Sequence, residues 1–438
     1  MIKIGLISLG CPKNRVDSEL ILGALNNKAI ITTDPYDADV IIVNTCGFIE
    51  SAKQESIDTI FEMAEYKKTG NLKALIVTGC LSQRYKEELA YEIPEVDAFL
   101  GMYAHKEIVD VIDRVIKNER VISFPDFNSE PDYTNRVLTT PFYQAYVRIA
   151  EGCDNRCSYC AIPYIRGNLR SRYIEDICSE VEYLVKSGVS EIILVAQDTT
   201  VYGKDLYGKA KIVELIDELS KIDGVKWLRL LYAYPEGVTN ELLECMMRHD
   251  NVVKYIDIPI QHFSDNVLKR MNRRNTNKST YDAVERIRKT GSDFIIRTTL
   301  ITGFPGETDE DFEILKRGVL DLKFDKLGVF PYSEEDGTPA AELDGCVEME
   351  VRVNRAEQIM QIQSVISEKS CASHIGEVLT AVIEERISNG YIGRTYIDAP
   401  DIDGCVYIKT DENLVIGEYY NIRITDADDY DLIGEIHE

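Results

Sequence analysis

Short apolar runs alternate with helical patterns over the first 125 residues of the chain. The strand candidates are Ile2–Leu9, Ala38–Val43 and Ala74–Val77, and the helix candidates include Arg15–Leu25 and Ser56–Tyr66. Apolar strands that are separated by helices are typical of a parallel sheet covered on both faces. We therefore predict a doubly wound α/β domain over residues 1–125 and a polar linker over residues 126–141.

The same alternation restarts at residue 142 and lasts to residue 370. Its strand candidates are Ala145–Ala150, Glu191–Ala196, Lys226–Leu231, Tyr255–Pro259, Asp293–Leu300 and Lys326–Val329. About six β/α units predict a partial β/α barrel, whose chemistry would sit at the carboxyl ends of the strands. Residues 371–438 instead show short alternating segments between Gly and Asp, a pattern that predicts a small antiparallel β-barrel.

Composition places the chain among globular proteins, since 45% of its 438 residues are hydrophobic and 28% are charged. No run of eighteen apolar residues is present, and the first residues lack the flanks of a signal peptide. We therefore expect a cytoplasmic protein without membrane contact. In that reducing compartment the 11 cysteines are expected to serve metals or catalysis rather than disulfides.

The formal net charge of −26 argues against nucleic acid as a direct partner, because phosphate binding needs clustered Lys and Arg. The C-terminal region 371–438 alone carries four basic side chains against 15 acidic ones. Its acidic tract, Asp426–Asp431, would suit a partner rich in Lys and Arg. A merely solvated face is the alternative for any one of these carboxylates.

Three cysteines, Cys153, Cys157 and Cys160, lie within eight residues directly after a predicted strand. A zinc site usually needs a fourth ligand, and no nearby Cys or His supplies one. Three thiolates instead suit a [4Fe–4S] cluster that keeps one iron open. Three buried thiols or a degenerate zinc knuckle are the alternatives.

A second set of cysteines, Cys11, Cys46 and Cys80, comes from three distant places in the sequence. Each follows the end of a predicted strand within about three residues, so a parallel sheet would bring all three to one edge. A second open cluster site is the functional hypothesis, and three unrelated buried cysteines are the alternative. The remaining cysteines have no assigned role: Cys178, Cys245, Cys346, Cys371 and Cys405.

The C-x3-C-x2-C motif, with an aromatic residue before its last cysteine, resembles the signature of the radical S-adenosylmethionine superfamily. The resemblance implies that the open iron binds S-adenosylmethionine and that its reductive cleavage yields a 5′-deoxyadenosyl radical. The segment Leu300–Glu307, LITGFPGE, is similar to a family segment that lies against this cofactor. The implied or plausible cofactor contacts are Tyr159, beside the adenine, and Gln197, Gln261, Arg297, Gly303, Pro305 and Gly306.

Three further motifs resemble the N-terminal domain of the methylthiotransferase family: GCPKNRVDSE at 10–19, NTCGFI at 44–49 and TGCLSQ at 78–83. The resemblance extends over the whole chain and ends in what looks like the TRAM β-barrel of that family. It implies two [4Fe–4S] clusters and S-adenosylmethionine as cofactors. It also implies that the N-terminal cluster delivers the sulfur and that a second S-adenosylmethionine supplies the methyl group.

Two branches of the family compete, one acting on a transfer-RNA adenosine and the other on an aspartate of small-subunit ribosomal protein S-twelve. The acidic C-terminal region favours the protein substrate, and the segments AQDTTVYG at 196–203 and LRLLYAYP at 228–235 resemble the same branch. We therefore expect methylthiolation of the aspartate β-carbon. The alternatives are the transfer-RNA enzyme and a ribosome-binding iron–sulfur module without catalysis.

The expected enzyme is a monomer that needs an external electron donor and a sulfur donor. The sequence identifies no protein general base. Arg166, Arg172 and Tyr234 are polar candidates near the mouth of the predicted barrel, and for each a structural role is the alternative.

Overall fold

A computed structural model describes residues 1–125, 133 and 135–437. Residues 126–132 and 134 of the predicted linker lie outside the described residues. The predicted fold class is confirmed, since a parallel sheet, a β/α partial barrel and a closed β-barrel follow one another along the chain. Among the described residues, none of the helices has the length and apolar character needed to span a membrane.

The N-terminal sheet has six parallel strands in the order β2-β1-β3-β4-β5-β6. These strands are β1 (Lys3–Ser8), β2 (Ile30–Ile31), β3 (Val40–Thr45), β4 (Ala74–Gly79), β5 (Ala98–Leu100) and β6 (Val121–Ser123). The helices are α1 (Pro12–Leu25), α2 (Glu50–Ala64), α3 (Tyr66–Thr69), α4 (Cys80–Glu92) and α5 (Ile108–Val115). Chain order reverses between β1 and β3, which is where open α/β sheets form a ligand crevice at their carboxyl edge.

The central region holds a second sheet of six parallel strands, in the order β14-β13-β12-β11-β10-β7. Its strands are β7 (Gln144–Arg148), β10 (Glu191–Val195), β11 (Trp227–Leu230), β12 (Val252–Asp257), β13 (Ile295–Thr302) and β14 (Lys326–Pro331). Two short strands pair antiparallel beside them, β8 (Ala150–Glu151) and β9 (Arg170–Ser171). Within the described residues β7 and β14 do not pair, so the barrel is partial.

The central region also contains helices, most of which cover the outer face of the partial barrel. They are α6 (Ile162–Ile165), α7 (Ile174–Lys186), α8 (Lys204–Tyr207), α9 (Ile212–Leu219), α10 (Asn240–Arg248), α11 (Asp265–Arg270), α12 (Asn277–Thr290), α13 (Asp309–Leu322) and α14 (Met349–Ser373). The last of them packs on β13 and β14 and reaches the C-terminal barrel. The boundary that we placed at residue 371 therefore falls in its final turn, and Cys371 is a buried helix residue rather than a loop residue.

The C-terminal barrel closes in the order β15-β16-β17-β19-β18. Its strands are β15 (Val378–Ile387), β16 (Gly390–Thr395), β17 (Val406–Lys409), β18 (Tyr419–Ala427) and β19 (Leu432–Ile436). Four of its strand pairs are antiparallel, as predicted, but β17 and β19 pair in parallel to close the ring. Closure leaves the small barrel without a free sheet edge.

The C-terminal barrel packs against the inner face of the central barrel, at the amino-terminal ends of the central strands. Trp227 and Tyr255 belong to the same apolar core as residues of β15, β16 and β18. Charged contacts line this interface, since Lys326 Nζ lies 2.5 Å from Asp398 and Tyr255 Oη lies 2.5 Å from Asp403. One end of the central barrel is thus closed by protein, and the carboxyl ends of its strands face the N-terminal sheet.

Candidate active site

The first cysteine set lies at the carboxyl edge of the N-terminal sheet. Cys11 precedes α1 directly, Cys46 follows the last residue of β3, and Cys80 is the first residue of α4. Because β1, β3 and β4 are neighbours in the sheet, their loops emerge side by side. Burial raises the pKa of Cys46, and raises that of Cys80 to about 12, with the charge of Cys11 adding to both shifts. The three thiols that the sequence predicts together are therefore close in space.

Buried charges surround this N-terminal set. Arg166, which follows the central cysteines, places Nη2 3.6 Å from Cys80 Sγ and 2.9 Å from Asp17 Oδ2. Its Nη1 donates to both carboxylate oxygens of Glu151 at 3.0 Å. Burial acts to raise the pKa of Asp17, but the guanidinium groups of Arg148 and Arg166 outweigh it and hold that pKa below its usual value. Arg166 thus joins the two cysteine regions through ion pairs.

The second cysteine set occupies one loop between β8 and α6. Cys153 N donates to Gly167 O at 3.1 Å, and Cys160 N donates to Cys157 O at 3.1 Å, so backbone bonds fix the loop at both ends. Arg156 adopts φ 54, a left-handed conformation that is uncommon for side chains of its size. Burial raises the pKa of Cys153 to about 11 and that of Cys160 to about 12.

Tyr234 and Arg273 border the central cysteines. Tyr234 Oη lies 3.0 Å from Cys157 Sγ, and the Arg273 guanidinium lies 4.0 Å from the centre of the Tyr234 ring. Arg273 is buried and donates to Pro259 O at 2.6 Å. Of our polar candidates, Tyr234 therefore contacts the site directly, whereas Arg172 pairs with Glu180 at 2.5 Å and supports the wall of the barrel.

The sulfur spacing distinguishes between kinds of metal centre. A single tetrahedral zinc with bonds near 2.3 Å holds its sulfurs about 3.8 Å apart. In neither cysteine set do all three sulfurs lie within 4.8 Å of one another. Three thiolates per set match the ligand type that iron–sulfur clusters use. Both sets therefore fit a cluster better than a single ion.

The two cysteine sets face each other across the interface between the sheets. Cys80 packs in one small apolar cluster with Ala161 and Ile165, which directly follow the central motif. Lys13, two residues after Cys11, reaches across this interface and places Nζ 3.4 Å from Ala196 O, beside the end of β10. Burial lowers the pKa of Lys13, and the nearby Cys11 acts in the opposite sense. The carboxyl edges of both sheets thus border one shared site.

The predicted cofactor segment forms a tight turn after β13. Gly303 (φ 68) and Gly306 (φ 84) are left-handed, and a Cβ at these positions would overlap the side chains of Arg352 and Arg270 respectively. Packing inside the protein therefore requires glycine at both positions. Pro305 O accepts from Arg270 Nε at 2.7 Å, which fixes the turn further.

The aromatic and polar candidates divide by their contacts. Tyr159 is half-buried, packs edge-on against Phe304 with ring centres 6.4 Å apart, and so joins the central motif to the turn. Among the described residues, neither buried atom of the Gln197 side-chain amide has a hydrogen-bond partner. Leaving such a group unpaired costs free energy of folding unless a ligand supplies the partner. Gln261 (φ 70) uses its backbone to bind Thr299 and Ile301 of β13.

Arg297 is already engaged by carboxylates, because it lies 3.1 Å from Asp257 and 3.6 Å from Asp403 of the C-terminal barrel. Sequence reasoning missed Lys13, Tyr232, Asp257 and Arg273. The place of Lys13 inside the GCPKN motif was the only signal for it, and the other three stand out only once the strand ends are assembled.

Comparison with known proteins gives three family matches along the chain. Residues 3–101 match a family described as "Uncharacterized protein family UPF0004", residues 147–317 match the "Radical SAM superfamily", and residues 375–436 match the "TRAM domain". These three matches coincide with the N-terminal sheet, the partial barrel and the closed barrel.

Solved structures share the fold at low sequence identity. The radical S-adenosylmethionine methyltransferase TsrM from Kitasatospora setae aligns with a TM-score of 0.54 at 13% identity, over 77% of this chain and 76% of that one. The cobalamin-dependent S-adenosylmethionine radical enzyme OxsB aligns with a TM-score of 0.50 at 14% identity, over 82% of this chain and 56% of that one. These alignments show a shared fold, and the superfamily match of residues 147–317 defines the class of the partial barrel as a radical S-adenosylmethionine protein.

Curated relatives narrow the class to one family. The "Ribosomal protein uS12 methylthiotransferase RimO" of Clostridioides difficile is 50% identical over all of this chain and 99% of that protein. The protein of the same name from Acetivibrio thermocellus is 51% identical over 99% of this chain and 98% of that protein. The chain belongs to the ribosomal protein uS12 methylthiotransferase family.

Proposed function

We propose that the chain is a radical S-adenosylmethionine methylthiotransferase that adds a methylthio group to the β-carbon of an aspartate of ribosomal protein uS12, the small-subunit protein S-twelve. The observation that carries the proposal is that two three-thiol sites lie on facing sheet edges of one chain. An aspartate β-carbon holds its hydrogens too tightly for a protein base near pH 7. A site that combines a hydrogen-abstracting centre with a sulfur-delivering centre meets that difficulty.

The residues present fit two [4Fe–4S] clusters, one held by Cys11, Cys46 and Cys80 and the other by Cys153, Cys157 and Cys160. Burial raises the pKa of Cys80 and that of Cys160 to about 12, so these two thiols are protonated near neutral pH and release protons when metal binds. When bound, the central cluster and S-adenosylmethionine would supply a carbon radical that removes hydrogen, and the N-terminal cluster would supply sulfur. An external electron donor and a sulfur donor complete the requirements.

The protein itself shapes the space for S-adenosylmethionine. Tyr159, which packs on the fully buried Phe304 beside the central motif, would contact an adenine ring. The unpartnered Gln197 amide can accept and donate at the end of β10, and we assign it to the same cofactor. The turn at Gly303–Gly306 closes this side of the site. Gln261 and Arg297 act through β13 and the C-terminal barrel, as positioning residues.

The C-terminal barrel contributes in two different ways. Asp398 and Asp403 are turned inward and hold the floor of the central barrel through Lys326, Tyr255 and Arg297. These carboxylates exclude water from below and are not available to a partner. We propose that the exposed ones instead attract the basic substrate protein. Among them are Asp426, Asp428 and Asp429 of the acidic tract.

The region boundaries that we propose remain those of the sequence: 1–125 for the sulfur-delivering domain, 126–141 for the linker, 142–370 for the radical domain and 371–438 for the substrate-binding barrel. We also propose that the enzyme acts as a monomer in the cytoplasm, where its ribosomal substrate is made and assembled.

The test is mass spectrometry of uS12 and of transfer-RNA nucleosides from cells with and without this gene. Loss of a methylthio mass from one aspartate, with transfer RNA unchanged, is the expected result. An unchanged uS12 with altered transfer-RNA nucleosides would move the enzyme to the other branch. Absence of 5′-deoxyadenosine when the reconstituted protein is reduced with S-adenosylmethionine would leave only a non-catalytic module.

A further inference from the structure

Lys13 is a buried lysine that forms no ion pair with a carboxylate among the described residues. Its Nζ lies 3.5 Å from the centre of the Tyr232 ring and 3.4 Å from Ala196 O. Within the described part of the chain, no carboxylate oxygen lies within 4.0 Å of this nitrogen in an ion pair. An ammonium group has three donors, so one long bond to a carbonyl leaves at least two without a protein acceptor.

The ring beneath Lys13 is held in a strained backbone conformation. Tyr232 has φ 59, which is a true outlier for a bulky side chain and persists only where the surroundings impose it. The surroundings do so here, because Tyr232 N donates to Asp257 Oδ2 at 3.2 Å and Thr199 N donates to Tyr232 O at 3.1 Å. The platform under the ammonium group is therefore built by three strand ends.

Asp257 is a carboxylate of the barrel mouth whose charge acts on Lys13, and each of its oxygens accepts a hydrogen bond from another group. Oδ2 accepts from the Tyr232 backbone, and Oδ1 accepts from Arg297 Nη1 at 3.1 Å. An aromatic face attracts a cation without cancelling its charge. The arrangement thus places Lys13 at the strand ends, where the neighbouring carboxylate of Asp257 is held by Arg297 and by the Tyr232 backbone.

Two arginines at the same interface have carboxylate partners. Arg148 and Arg166 are each paired with Asp17 and Glu151, and Arg166 also lies against Cys80. Arg166 therefore offsets charge at the N-terminal cysteines. Lys13 instead extends away from the N-terminal sheet onto the carboxyl ends of the central strands, which is where a β/α barrel binds its substrate.

We propose that Lys13 binds the side-chain carboxylate of the substrate aspartate, an inference that rests on the proposed function. In aspartate the carboxylate is bonded directly to the β-carbon. An ammonium group that holds the carboxylate therefore fixes the reacting carbon within two bonds of its contact. Because Lys13 follows Cys11 by two residues, binding of the carboxylate also places the β-carbon beside the N-terminal cysteines. An ammonium group at this point also selects an anionic residue over its amide.

The test compares two uS12 peptides centred on the modified residue, one with the native Asp and one with Asn, on the reconstituted full-length chain. Wild-type protein is expected to bind the Asp peptide about tenfold or more tightly, as befits a charged hydrogen bond. K13M should bind both peptides equally. K28M, which changes an exposed lysine on the same N-terminal domain, should keep the wild-type preference. An unchanged Asp preference in K13M would overturn the proposal.

Iron content and visible absorption of K13M are measured beside binding, because a variant that lost a cluster could lose peptide binding indirectly. A second measurement therefore uses wild-type holoenzyme alone: carbodiimide coupling of the Asp peptide, followed by peptide mapping. The expected product is an amide between the target Asp and Lys13. Coupling only to other lysines would overturn the proposal.

Methylthiolation of the Asp peptide by wild type is measured in the same samples. If it occurs while K13M retains the Asp preference, the assignment of Lys13 fails and the proposed function stands. If wild type modifies neither the peptide nor intact uS12, the proposed function itself fails.

Discussion

The two cysteine sets reach similar arrangements by opposite routes. Cys153, Cys157 and Cys160 lie in one loop, so a local conformation with two backbone hydrogen bonds brings them together. Cys11, Cys46 and Cys80 come from three loops, and only the pairing of β1, β3 and β4 makes them neighbours. A local site tolerates changes elsewhere in the fold. A site assembled by a sheet depends on everything that holds the sheet edge in place.

The charged residues around the two cysteine sets differ as well. The N-terminal set is bordered by a buried network in which Arg148 and Arg166 share Asp17 and Glu151. The central set has instead a phenol at 3.0 Å from Cys157 and a guanidinium stacked on that phenol. Ion pairs that bridge distant segments tie the first site to the domain interface, whereas the second site needs no such bridge.

The largest expected effect separates the roles of the two sets. C153A is expected to abolish formation of 5′-deoxyadenosine from S-adenosylmethionine, because the central cluster loses one of its three thiolates. C46A is expected to keep this cleavage and lose methylthiolation, since only the sulfur-delivering site is damaged. Anaerobic reconstitution, iron analysis and chromatography of the products provide the measurement, and each variant should retain about half of the iron.

Full cleavage in C153A would contradict the assignment of the central set. Normal methylthiolation by C46A would remove the N-terminal set from the reaction. C178A is the matched control, because that cysteine is half-buried on the outer helix α7 and belongs to neither set.

Both cysteine sets could be predicted from the sequence, but from different signals. The central motif is visible as a spacing, and the N-terminal set is visible because each cysteine follows an apolar strand. The short strands β2, β5 and β6 escaped prediction because two or three residues carry too little periodicity.

The contacts that span the chain could not be predicted. Lys13 meets Tyr232, and Arg297 meets Asp403, only after three regions have folded and docked. The contact of Gly303 with Arg352 had no sequence signal either, because it forms only when the turn after β13 packs against α14. Such packing is a property of the assembled core and has no local signature.

A second prediction tests the dependence of the N-terminal set on its buried network. R166M leaves Asp17 and Glu151 with less compensation, and breaking a buried ion pair costs about 3–5 kcal/mol. We expect a lower urea midpoint together with selective loss of iron from the N-terminal set, seen as lost methylthiolation with retained 5′-deoxyadenosine formation.

R172M is the matched control for R166M. Arg172 forms an equally buried pair with Glu180 but contacts neither cysteine set. It should lose similar stability and keep both clusters. Equal iron loss in the two variants would mean that general destabilisation, and not the network at Cys80, limits cluster retention.

The smallest effect concerns acid stability, since each region holds a neutral histidine, fully buried in the central region and half-buried in the N-terminal one. Burial lowers the pKa of His262, behind the turn of the central barrel, to about 3, and that of His105 in the N-terminal region to about 4. The unfolded chain takes up these protons near pH 6.5, whereas the folded chain does not. Unfolded protein therefore binds more protons between these values, and stability falls as the pH falls below 6.5.

At pH 5 each histidine should account for about 2 kcal/mol of lost stability relative to pH 7. H262Q should remove the contribution of His262, so that the free energy of unfolding falls less between pH 7 and pH 5. Glutamine is chosen because it can still accept the hydrogen bond that Ser264 N donates to His262 Nδ1 at 2.9 Å. Urea unfolding of the cluster-free protein at pH 5, 6 and 7 is the measurement. If H105Q reduces the loss of stability at pH 5 and H262Q does not, acid sensitivity arises in the N-terminal region. The turn of the central barrel would then open to water before the protein unfolds.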